Sequence, residues 1–105
     1  MRNQEVWALI DTGARESCIE QALADRLALT LVDRRTVSGV GGLHQLNVYL
    51  AQIDIPSLGR SDNGLFTAGR FADGGSRHQV ILGRALLRDM VVVYDGRRGT
   101  VSVCA

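Results

Sequence analysis

Asp11 is the residue whose placement could do chemistry. It follows the apolar run Ala8-Leu9-Ile10 and opens the tripeptide Asp11-Thr12-Gly13. A carboxylate at the exit of a buried strand is either a turn residue or a group that takes and gives protons. Two other stretches set glycine beside apolar residues: Ser38-Gly39-Val40-Gly41-Gly42, and Ile81-Leu82-Gly83-Arg84. The remaining reactive types form no pattern. Cys18 and Cys104 are far apart and make no CxxC, and with His44 and His78 they lack metal-ligand spacing, so no metal is expected. Neither histidine is paired with a nucleophile, and Cys18 reads as a small core residue. Gly39–Gly42 has no third glycine at dinucleotide spacing and no helix after it, so it is not a nucleotide loop.

These residues need elements to hold them. Val6–Ile10 is an apolar strand, and Ser17-Cys18-Ile19 is short and β-compatible. Between Glu20 and Leu29, Ala22, Leu23 and Leu27 recur at helical spacing, which predicts a short amphipathic helix. Arg34–Ser38 and Leu43–Ile55 read as strands, the second alternating through Leu46, Val48, Leu50, Ile53 and Ile55. Together they make a hairpin with a glycine-rich end. Pro56–Gly64 is expected to be loop, Leu65–Phe71 strand, and Ala72–His78 loop with a turn at Asp73-Gly74-Gly75. Gln79–Leu82 is an apolar strand ending at Gly83, and one or two helical turns follow over Arg84–Asp89. Met90–Tyr94 and Thr100–Val103 are strands joined by a loop that opens with Asp95-Gly96, a hairpin signal.

The bulk numbers fit one small domain spanning residues 1–105. The chain has 105 residues, 46% hydrophobic and 22% charged, with a formal net charge of +1. No concentrated basic surplus marks a nucleic-acid partner. No apolar run approaches the length of a membrane span, and no secretory signal opens the chain. With two lone cysteines, a reduced, cytoplasmic chain is expected.

In their order and separations, the three stretches resemble the retropepsins, the single-domain aspartic proteases of retroviruses and their cellular and bacterial relatives. The resemblance runs from about Trp7 to Val103. It implies an all-β fold, a small closed barrel with a glycine-rich flap hairpin and one or two short helices. It implies an aspartic endopeptidase, active as a C2 homodimer, because the chain has a single Asp-Thr-Gly. Each chain would contribute its Asp11, with Thr12 reaching across the axis and Gly13 admitting the substrate backbone. Substrate, an extended peptide or protein segment, would meet Ala14, the flap residues Gly39, Val40, Gly41 and Gly42, and Val80 and Leu82. Ile81-Leu82-Gly83 would support the Asp11 loop from below. No cofactor is implied. The Lys-free, Arg- and Ala-rich composition looks more like the bacterial members.

Two features depart from the retroviral pattern. Arg15 stands where retroviral members carry an Asp that pairs with the arginine of the Gly-Arg step. Arg84 is therefore expected to lose that partner, with Glu16 or Asp89 as substitutes. Only ten residues precede Asp11, where relatives have a further strand or hairpin. The expectations are a fragment of a longer product or a dimer built differently, with the hairpin of residues 90–105 supplying the interface sheet. The alternative function is a catalytically inactive module of the same fold, used for dimerisation or peptide binding. A plain β-domain with Asp11 as a turn residue is the third reading, and it predicts a monomer.

Overall fold

A computed structural model describes residues 3–71, 75 and 77–104. Asp73 and Gly74 of the expected turn lie outside the described residues. The chain runs through β1 (Ala8–Ile10), β2 (Ser17–Glu20), α1 (Gln21–Arg26), β3 (Thr30–Gly39) and β4 (Gly42–Ile55). A 3₁₀ turn (Pro56–Leu58) leads to β5 (Arg60–Gly69), followed by β6 (Val80–Leu82), α2 (Arg84–Leu87), β7 (Val91–Asp95) and β8 (Thr100–Cys104). This is the small, mostly-β fold with short helices that the sequence implies. No described helix is long and apolar enough to cross a membrane.

Six strands pair in the order β1-β6-β2-β5-β4-β3, while β7 and β8 form a hairpin of their own. β1 lies parallel to β6, and β2 parallel to β5; the other pairs are antiparallel. Register carries one row of residues across all six strands: Leu9, Ile81, Cys18, Thr67, Val48 and Asp33. Residues directly opposite each other share a face, and neighbours along a strand alternate. The row therefore defines one face of the sheet. The other face carries Ile19, Tyr49, Phe66, Ala68, Val80 and Leu82, which pack with Leu23, Ala24 and Leu87 from the helices into the core.

The larger differences from the sequence reading are at the starts of β5 and β3 and the end of α1. β5 begins at Arg60, inside the expected loop of 56–64. Its first half is polar, so apolar alternation could not reveal it. It is held by pairing with β4 and by side-chain bonds from Gln52 to Ser61 and Ser61 to Asp54. β3 starts four residues early, at Thr30, with a register irregularity between Leu31 and Asp33. α1 stops at Arg26 instead of running to Leu29, because Ala28 takes a positive φ of 51°. No glycine or asparagine announces that exit.

Candidate active site

Asp11 leaves β1 at the end of the row-bearing face. Its backbone N–H donates to the carbonyl of Leu82 at 3.0 Å, so the strand ladder reaches the acidic residue itself. The chain then turns: Ala14 N–H donates back to the Asp11 carbonyl at 3.2 Å, and Gly13 N–H donates to Asp11 Oδ1 at 3.0 Å. A Cβ at Gly13 would stand 3.2 Å from that same oxygen, tighter than ordinary contact. Asp11 is half-buried, Thr12 and Gly13 are exposed, and Ala14 is half-buried. A short loop thus presents one carboxylate, oriented by backbone, at the protein surface.

The loop is locked from beneath by the first turn of α2. Arg84 N–H donates to the Ala14 carbonyl at 2.8 Å, and Ala85 N–H to the Arg15 carbonyl at 3.0 Å. Gly83 N–H donates to the buried Ser17 hydroxyl at 3.0 Å. Gly83 is a glycine because of this approach: a Cβ there would lie 3.0 Å from the Ala14 oxygen and nearer still to the Glu16 carbonyl. The Arg84 side chain completes the lock, donating to the Thr12 carbonyl at 2.9 Å. Arg84 has thus exchanged a carboxylate partner for a backbone carbonyl. Neither expected substitute meets it: Glu16 pairs with Arg35, and no ion pair joins Asp89 to Arg84 among the described residues.

Parity decides which residues share the carboxylate's face. Leu9 and Asp11 are two apart on one strand, and Leu9 sits opposite Ile81. Ile81, half-buried, therefore belongs to the Asp11 side, together with Cys18, Thr67 and Val48. Val80 and Leu82 do not; they are 5% and 6% exposed in the core on the opposite face. Val80 and Leu82, expected to meet substrate, thus lie in the core, and Ile81 between them lies on the Asp11 side, a match by period that follows once β1 is paired with β6. Burial pushes the Cys18 thiol up from its ordinary value, and the charges of Glu16 and Asp11 push it further. A thiol held neutral in this way is a poor nucleophile, which supports its reading as a packing residue.

The glycine-rich stretch forms the two-residue turn of the β3–β4 hairpin. Gly39 pairs with Gly42 across Val40 and Gly41, and Gly41 and Gly42 have φ of 87° and 110°. Those left-handed values are why L side chains are avoided here. His44 Nε2 lies 2.8 Å from the Val40 carbonyl, closing the tip with a side chain from the returning strand. Val40 is fully exposed. The tip itself makes no hydrogen bond to the Asp11 loop; the hairpin meets that loop lower down, through Arg35 and Glu16. That ion pair was missed at the sequence level.

The arrangement offers one oriented carboxylate, a neutral apolar floor of Leu9, Ile81 and Val48, and a glycine-tipped hairpin at the far edge of the same sheet. A family model described as aspartyl protease matches residues 1–86. No curated protein matches the chain.

Proposed function

Because the chain belongs to the aspartyl protease family, we propose that it is an aspartic endopeptidase of retropepsin type that works as a C2 homodimer, with Asp11 of each copy forming the catalytic pair. The observation that carries the reading is the Asp11 loop, aimed by its own backbone and locked from below by Gly83 and Arg84. One carboxylate cannot both accept the proton of water and donate to the peptide carbonyl. Two carboxylates at close range share a proton, since they cannot both ionise. The ionised member then takes the water's proton as its oxygen attacks the carbonyl carbon, and the protonated member donates to the carbonyl oxygen. Protonation of the amide nitrogen and breakage of the C–N bond complete the cut.

Exposed apolar surface supports the dimer. Trp7 and Leu9 are 65% and 44% exposed beside the unpaired edge of β1. Val91 and Val93 are exposed on one face of the β7–β8 hairpin, and Tyr94 and Val101 on the other. A two-stranded ribbon with that much uncovered apolar area gains from a partner. In the assembled enzyme, the substrate would lie extended over the floor formed by Ile81 and Leu9. The β3–β4 hairpin would serve as its flap, and the glycines would offer backbone groups at close range.

The test is digestion of a complex peptide mixture, read by mass spectrometry from about pH 4 to about pH 7, with Asp11→Asn run beside the native chain. Cuts made by the native chain and lost in the variant are the expected result. No cuts by either chain would overturn the reading and favour the inactive peptide-binding or dimerisation module.

A further inference from the structure

Glu16 and Arg35 come from opposite ends of the site. Glu16 sits just before β2, in the loop whose backbone is clamped against Gly83 and the start of α2. Arg35 is in the middle of β3, an edge strand that pairs with β4 alone among the described residues. Two strands, β5 and β4, separate β2 from β3. In a flat sheet that spacing would be about 14 Å. The ion pair closes it, and Glu16 Oε2 also accepts a long 3.4 Å bond from Thr67 on β5. The two long side chains meet over the Asp11 face, so the pair ties the loop before β2 to β3 across the intervening strands.

Arg35 lies on that face by register. It is opposite Leu46 and two residues from Asp33, which belongs to the cross-sheet row. The base under Glu16 is rigid, because its neighbours' carbonyls are bonded to Arg84 and Ala85 and Ser17 holds Gly83. The strand that carries Arg35 lacks such support and is exposed for most of its length.

We propose that Glu16 is a positioning residue that anchors the root of the flap to the catalytic loop, so that the moving part of the hairpin is residues 36–43 alone. The inference rests on the protease reading for the word flap, but the anchor itself does not. Arg35 fixes the height of β3 above Asp11, and substrate enters by lifting the glycine tip. Both side chains are partly exposed, at 38% for Arg35 and 47% for Glu16. A pair in that setting biases a conformation modestly. Its loss should raise KM about two- to fivefold while changing kcat less.

The experiment is ¹⁵N relaxation dispersion on the full chain, which reads microsecond-to-millisecond exchange amide by amide. Native protein is compared with Arg35→Gln, Glu16→Gln and the swapped pair Glu16→Arg with Arg35→Glu. Arg35→Lys, which keeps the charge, serves as a second rescue. Exchange is expected only at residues 36–43 in the native chain. It should spread to 30–35 and 46–50 in both single glutamine variants, and retreat in the swapped chain or in Arg35→Lys. Quiet roots in the glutamine variants, or exchange that neither rescue reverses, would overturn the anchor. If exchange spreads as expected but no peptide is cut, the anchor stands and the protease reading falls. If Asp11-dependent cutting is seen and the root is indifferent to both glutamine variants, the reverse holds.

Discussion

A side-chain carbon on Gly83 would stand under 3.0 Å from the backbone oxygen of Glu16. Neither partner is a flexible side-chain end, so neither can move aside cheaply. Gly83→Ala is therefore expected to destabilise the fold by about 1–3 kcal/mol, seen as a lower urea midpoint. Cleavage should fall further than stability does, because the displaced segment is the one that aims Asp11. A variant with native stability and native turnover would contradict this account of the loop.

Alternation on β6 separates a packing residue from a site residue one position away. Leu82 is in the core, and truncation to Ala should cost about 2–5 kcal/mol. Ile81 faces the Asp11 side, so Ile81→Ala should cost less stability but alter which peptides are cut. Chemical denaturation and a cleavage profile of each variant check the pair together. The idea fails if Leu82→Ala changes the profile and Ile81→Ala does not.

Cys18 and Cys104 should behave differently towards an alkylating reagent at about pH 8. Cys104 is exposed, whereas Cys18 is half-buried and its thiol is pushed up by burial and by Glu16 and Asp11. Peptide mapping should find Cys104 modified first. The folded chain holds the Cys18 proton more tightly than the unfolded chain. Its contribution to stability is thus fully present below the unfolded value of 9.0 and is lost as pH rises through the raised folded value. Urea midpoints should decline from about pH 8 to about pH 10, and decline less in Cys18→Ser.

Val93 is 52% exposed on the β7–β8 hairpin. If that face meets a second copy, Val93→Arg places an unpaired charge on a surface that becomes dry. The dimer dissociation constant should rise about tenfold or more, measured by sedimentation velocity, and cleavage should fall in parallel. A monomeric native chain that still cuts would refute the two-copy mechanism outright.

The parts of the site that were legible in the sequence are those where backbone chemistry restricts the residue type. Asp11-Thr12-Gly13 alone is a weak signal, and it was singled out by its order and separation from the stretches at 38–42 and 81–84, which together carry the family resemblance. Gly83 could be found because only glycine tolerates the contact with Ala14 and Glu16. The tip glycines were legible for their left-handed φ. What could not be read depends on the third dimension. The facing of β6 follows from its parallel pairing with β1, a partner distant in the chain. The polar first half of β5 is a strand only because β4 lies beside it. The Arg35–Glu16 pair forms across strands that are distant in the chain, and no local spacing encodes that pairing. Ala28 ends α1 in a conformation its residue type disfavours, imposed by the chain's route into β3.

β1 has three residues, and among the described residues β6 alone pairs with it. Thr12 and Arg84, which join the same two regions, are 72 positions apart in the chain. Closing so large a loop is among the slower steps of folding. Asp11 therefore reaches its observed geometry only after the chain as far as Arg84 has been made and packed. A half-made chain carries the acid without the scaffold that orients it, so on the protease reading any cutting waits for that scaffold.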